Sequence, residues 1–190
     1  MSMATVALTW QWINVAHGDK WTAIRPSIYF DYEQLSRAVY VIRLNGKFLI
    51  RYPWGKSPLV YIGEGDLPTR LKSHNAMKSW MGELGSLLDK ATFKVGIACP
   101  RVPRAEDTYK DLEAHLLEVF ANKYGCVPLR NRQFESRLFN HSYSQKDVKH
   151  ALNPWQGKRY EWAVEPQPSM GKLYDSFHMG WLREAKGPAH

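Results

Sequence analysis

Tyr40, Tyr61, Arg70, His74 and Glu113 are side chains of types that can act together on a phosphate. A guanidinium grips two oxygens of one phosphate at once, a geometry that a lysine ammonium does not offer. A glutamate supplies the hard oxygen that Mg2+ prefers, and Mg2+ commonly takes one or two carboxylates and fills its other positions with water and phosphate. An imidazole is a natural base near neutral pH, whereas a phenol with an ordinary pKa of about 10 needs nearby positive charge to serve as one. Hydrolysis of a phosphodiester asks for this set: a base for water, positive charge for the phosphorane, and help for the departing oxygen. Taken singly, each residue has an ordinary explanation as a strand aromatic or a solvated helix charge. Asp111 and Glu118 also match Glu113 in type.

These residues must be carried by elements that bring them together. Residues 38–44 (Ala-Val-Tyr-Val-Ile-Arg-Leu) are β-branched and aromatic and predict a strand; Asn45-Gly46 after them is a strong hairpin signal. Residues 47–52 then read as the returning strand, 53–58 as a loop, and 59–63 as a third strand. Neighbouring strands can set Tyr40 and Tyr61 on one face, because side chains alternate and cross-strand pairs lie close. Asp66 can cap a helix with Pro68 in its first turn, running to about Asn75; Arg70 and His74, four apart, then share a face. A second helix is expected over 76–88 and a strand over 92–98. The clearest helix covers 105–123, where Leu112, Leu116, Val119 and Phe120 form an apolar stripe ahead of Tyr124-Gly125. Upstream, 5–12 and 27–31 have strand composition and 32–36 suits a helical turn. Residues 132–190 read as irregular. The sum is an α+β layer: a small, mainly antiparallel sheet of three or four strands flanked by helices. The core is expected over 38–131, with an N-terminal extension at 1–37 and a basic, aromatic C-terminal extension at 132–190 packed on it.

In that order the motifs resemble the GIY-YIG nucleases. Ala38-Val39-Tyr40 and Tyr61-Ile62-Gly63 are similar to the paired signature, with Ala-Val in place of Gly-Ile. Arg70 and His74 match the family's helix, Glu113 its metal-binding glutamate, and Pro128-Leu129-Arg130-Asn131 its closing Pro-x-x-Asn. The resemblance covers about half the chain. It implies that Glu113 binds one Mg2+ or Mn2+ ion, that Arg70 holds the scissile phosphate, and that Tyr40 or His74 takes the proton from water. Tyr61 would orient water or phosphate, and Asn131 would support the site. The activity implied is metal-dependent DNA endonuclease cleavage, with duplex DNA as partner and a homodimer for double-strand cutting. A restriction-endonuclease-like member is the narrower expectation. A binding module with a decayed site, or a structure-specific or RNA-directed nuclease, is the alternative. The 47–58 segment lengthens the link between the half-motifs, and Glu64 places an additional carboxylate after the second one.

Charge agrees with a polyanionic partner. The 190 residues carry 26 Lys+Arg against 18 Asp+Glu, a formal net charge of +8, and neutralising phosphates releases condensed counterions. The excess begins where the motifs begin: residues 1–37 hold 3 basic and 3 acidic side chains, residues 38–131 hold 14 and 9. Lys56, Lys72, Arg130, Arg132, Lys158 and Arg159 are the candidate nucleic-acid contacts, the last two among aromatics that suit base stacking. Hydrophobic residues at 44% and charged residues at 23% are those of a globular chain. Cys99 and Cys126 have no ligand-spaced partner and read as reduced thiols of an intracellular, cytoplasmic protein. No apolar run reaches membrane-spanning length, so no membrane association is expected.

Overall fold

The computed structural model describes residues 5–45, 48–76, 79–87, 92–139, 141–153 and 162–164. Their elements, in chain order, are β1 (Thr5–Val6), β2 (Gln11–Val15), α1 (Trp21–Ile24), α2 (Tyr32–Leu35), β3 (Ala38–Asn45), β4 (Phe48–Tyr52), β5 (Gly55–Ser57), β6 (Leu59–Gly65), α3 (Leu67–His74), α4 (Trp80–Leu87), β7 (Thr92–Ala98), α5 (Thr108–Tyr124), β8 (Ser142–Tyr143), α6 (Gln145–Leu152) and β9 (Trp162–Val164). The main sheet has the order β2-β7-β3-β6 and is antiparallel throughout. With helices flanking it, the fold is α+β, as the sequence predicts. β3 is buried from Ala38 to Leu44 because it has a strand on each edge.

The expected helix at Asp66 forms as α3, with the Asp66 side chain accepting from the Thr69 N–H. The turn expected at 32–36 forms as α2 and is closed by a reciprocal capping box between Asp31 and Gln34. α5 ends at Gly125, whose φ of 89° only glycine adopts easily.

Several expectations are corrected. Asn45-Gly46 does not make a β3–β4 hairpin: both edges of β3 are taken by β6 and β7, and β4 instead pairs with β5 and β9 in a separate sheet. The turn lies later, at Pro53-Trp54, so part of the 53–58 loop is strand β5; Gly46 and Lys47 lie outside the described residues. Residues 27–31 are not a strand. Arg25–Ser27 is a 3-10 turn with Pro26 in its first positions, and the apolar signal comes from Ile28 and Phe30, which are buried in the core. The strand expected at 5–12 is split between β1 and the start of β2, and β2 runs on to Ile13 and Val15, which point inward, so the segment read as an N-terminal extension supplies an outer strand of the sheet. Helix α5 begins at Thr108, after turns at 103–104 and 106–107.

The C-terminal region is also more regular than expected. Ser144 caps α6 by accepting from the Asp147 N–H, and Val148, Ala151 and Leu152 are its buried face. Arg43 on β3 holds the other end. Its guanidinium lies 4.4 Å from the Trp12 ring centroid and donates to the carbonyls of His150 and Ala151, cationic charge at the negative end of a helix. Gly96, opposite Trp12 in register, leaves space for that indole; a Cβ there would lie 2.7 Å from it. Among the described residues no helix is long and apolar enough to cross a membrane.

Candidate active site

The two motif tyrosines meet on one face of the sheet. Tyr40 stands opposite Gly63 in register, so Tyr61 is its diagonal neighbour, and the ring centroids are 5.9 Å apart. Gly63 makes this possible: a Cβ there would lie 2.5 Å from the Tyr61 ring and 2.8 Å from the Tyr40 hydroxyl. Burial, then the neighbouring Tyr61, pushes the Tyr40 phenol well above its ordinary pKa, with Arg70 acting the other way. Tyr61 is raised too, by burial and by Glu113, and is relieved by a hydrogen bond from Tyr40 and by Arg70.

Helix α3 brings His74 against this pair. Its Nε2 lies 3.0 Å from the Tyr40 hydroxyl, and the Trp80 indole N–H donates to its Nδ1 at 3.1 Å. An indole nitrogen can only donate, so Nδ1 must be unprotonated and the ring proton must sit on Nε2. His74 therefore donates to Tyr40, and Tyr40 in turn to Tyr61. Burial, Arg70 and Arg130 lower the His74 pKa to about 4, which keeps the ring neutral. With both nitrogens engaged, His74 is poorly placed as the base. Of the two tyrosines only Tyr61 lines the cleft; Tyr40 is fully buried behind it.

That cleft, of about 290 Å3, is lined by Tyr61, Glu64, Arg70, Glu113, Asn131 and Glu135 among others. α5 carries Glu113 into it and points Asp111, two residues earlier, elsewhere. Asp111 accepts from Arg137 Nε at 2.8 Å, from the Phe139 N–H at 2.9 Å and from the Tyr143 hydroxyl at 2.8 Å. Burial alone would raise the Asp111 carboxyl, but these donors outweigh it and hold it below the usual range. Glu113 is only 8% exposed, and among the described residues it has no hydrogen bond or ion pair. Burial, then Glu64 and Glu135, push its carboxyl up to about 8 against the pull of Arg70. Glu64 is itself raised by burial. Arg70 likewise has no ion-pair partner among the described residues. Arg70 and Glu113 thus face one cleft, neither bonded to another described residue.

A divalent cation fits this carboxylate. A buried glutamate pushed toward its protonated form by two other carboxylates is relieved by a cation. Among the described residues no three His, Cys, Asp or Glu side chains form a ready-made cage. Mg2+ does not need one when waters and substrate oxygens complete its shell.

Asn131 supports the site from outside. Its Oδ1 accepts from the Ile62 N–H at 3.0 Å and its Nδ2 donates to the Ile62 carbonyl at 2.7 Å, while the Arg130 N–H bonds the Val60 carbonyl. The 128–131 segment thus pairs the open edge of β6, with one donor and one acceptor position of the Asn131 amide engaged by Ile62. Arg130 and Arg132 line the same cleft. Lys72 is exposed on α3 but borders a different groove, and Lys56 is exposed on β5. Lys158 and Arg159 lie outside the described residues. Sequence reasoning missed Trp80, which lay in an expected helix with no sign of its His74 partner, and Glu135, which lay in a segment read as irregular. The chain matches no family model, no curated protein and no solved structure.

Proposed function

We propose that this protein is a divalent-cation-dependent nuclease of the GIY-YIG type that hydrolyses phosphodiester bonds of DNA. The observation that carries this reading is the pair Arg70 and Glu113, facing one cleft beside the Tyr61 hydroxyl without bonding partners among the described residues. Arg70 binds the scissile phosphate through its planar fork. Glu113 holds one Mg2+ or Mn2+ ion, which when bound supplies positive charge to the leaving oxygen. As the phenolate, Tyr61 takes the proton from the attacking water and becomes the phenol; its oxygen is the one at the cleft, and Arg70 favours the ionised form against burial and Glu113. Before the transfer that phenolate accepts a hydrogen bond from Tyr40, which is supported in turn by His74 and Trp80. Tyr40 and His74, the bases suggested by resemblance, become positioning residues in this scheme. Duplex DNA as substrate, and a homodimer for cutting both strands, extend the proposal on the strength of the basic charge and the resemblance alone.

Purified protein incubated with plasmid, linear duplex, single-stranded DNA and RNA, in Mg2+, Mn2+ or EDTA, tests it. Cleavage is expected with either ion and not with EDTA, and Glu113→Gln or Arg70→Ala should abolish it while the fold persists. Inertness on every substrate with both ions, or cleavage surviving both substitutions, refutes the assignment.

A further inference from the structure

On the side of α3 away from the cleft lies a second, larger groove of about 750 Å3. At 100° per residue, Lys72 falls on the opposite side of the helix from Arg70, and Ala76 follows one turn on. The far wall is the 16–20 loop and the start of α1, and it is fixed in place. The Asn75 side chain, 6% exposed, accepts from the Gly18 N–H at 3.2 Å and donates to the Asp19 carbonyl at 2.9 Å and the Ala16 carbonyl at 3.3 Å. Asp19, the acidic side chain of the lining, is already turned back to the Ala16 N–H at 2.7 Å. What remains is apolar surface from Trp21, Pro68 and Ala76, with Lys20 and Lys72 exposed beside it. The Trp21 indole N–H has no hydrogen-bond partner among the described residues.

We infer that this groove binds a nucleobase of the strand that crosses α3 from the cleft, resting on the nuclease reading above. Trp21 offers the ring on which the base stacks, and Lys20 and Lys72 take the phosphates on either side. The charge selects this occupant. An apolar slot bordered by two lysines, with its one carboxylate engaged, suits a flat aromatic group bearing anionic linkages. Distance agrees: a helix with its side chains is about 10–12 Å across, a span that a few nucleotides of one strand cover. A strand held at Arg70 and at this groove would be fixed on both sides of α3, which places sequence or structure preference next to the cutting position.

Short single-stranded and duplex oligonucleotides carrying 2-aminopurine at successive positions, bound in EDTA so that none is cut, test the groove. One position near the cleavage point should be quenched on binding; the quench should be lost in Trp21→Ala and kept in Trp21→Phe. Lys72 is exposed, so Lys72→Glu should leave the melting temperature unchanged. It should weaken binding about tenfold and lower the salt slope by about 1. Unchanged affinity and salt slope in Lys72→Glu, or a quench that Trp21→Ala retains, overturns the groove. The two readings fail separately: cutting with wild-type binding in the groove variants refutes only the groove, and groove-dependent binding without cutting refutes only the nuclease.

Discussion

Replacing Glu113 by glutamine should make the metal-free protein more stable, and more so at pH 8 than at pH 5. The folded protein holds the Glu113 carboxyl at about 8 rather than 4.5, so it binds that proton more tightly than the unfolded chain does. The ionised form therefore opposes folding. Its cost is absent below about pH 4.5, grows as pH rises through the window from 4.5 to about 8, and is complete above it. At about 1.4 kcal/mol per pH unit the full cost is roughly 5 kcal/mol. Glutamine cannot ionise and escapes it, but its amide loses some hydration in the cleft, so a net gain of roughly 2–4 kcal/mol is expected at pH 8. For a chain of this length that is a rise of roughly 5–15 °C in melting temperature. Thermal unfolding of both proteins in EDTA at pH 5, 6.5 and 8 measures it, and groups common to both largely cancel in the comparison. Added Mg2+ should stabilise the wild type and not the variant. Parallel pH profiles, or a variant less stable at pH 8, would show that Glu113 is solvated or paired and that the cleft does not hold an unsatisfied charge.

Trp80→Phe removes the donor that fixes the His74 tautomer. Nitrogen-15 shifts of the imidazole should move from a pure Nε2–H form toward a mixture, and cleavage should fall about tenfold with little change in substrate affinity; an unchanged tautomer refutes the donor chain. Gly63→Ala puts a methyl 2.5 Å from the Tyr61 ring and 2.8 Å from the Tyr40 hydroxyl. It should cost about 1–3 kcal/mol by denaturant unfolding and at least a hundredfold in cleavage, and full activity would mean the tyrosines are not held as described. Arg137→Ala leaves the fully buried Asp111 carboxylate without its ion-pair partner. A loss of about 3–5 kcal/mol is expected by the same measurement, and a loss below about 1 kcal/mol would mean that water replaces the guanidinium.

Much of the frame was legible because local and global signals agree in it. The strands carrying Tyr40 and Tyr61, the Asp66 cap and the apolar stripe of α5 each follow from residue types over a short window. The hairpin failed for a non-local reason: Asn45-Gly46 is a good turn, but no local rule says that β7, arriving nearly fifty residues later, takes the edge of β3 that β4 would need. α6 was missed because its four-residue periodicity is short and its far end is held by Arg43, more than a hundred residues away. Within the site, the ordered motifs, not residue type alone, singled out Arg70 and Glu113, which line one cleft, and His74, which packs behind it. They could not orient the His74 ring, which depends on Trp80, nor show that the Asn131 amide bonds the backbone of Ile62.

The contrast between Asp111 and Glu113 says most about what the fold is arranged to do. They are two carboxylates on opposite sides of one helix, both buried. Asp111 receives donors from Arg137, Phe139 and Tyr143, and its pKa falls; Glu113 receives none from the described residues, and its pKa rises. An arginine sits close enough to Glu113 to influence it and yet forms no ion pair with it. Pairing them would have been the simpler way to bury both charges. Asn131 closes the edge of β6 at Ile62 and stops short of Gly63–Gly65, so the cleft opens where edge pairing ends. Glu113 and Arg70 thus have no bonding partner among the described residues, and in the proposed nuclease a cation meets one and a phosphate the other.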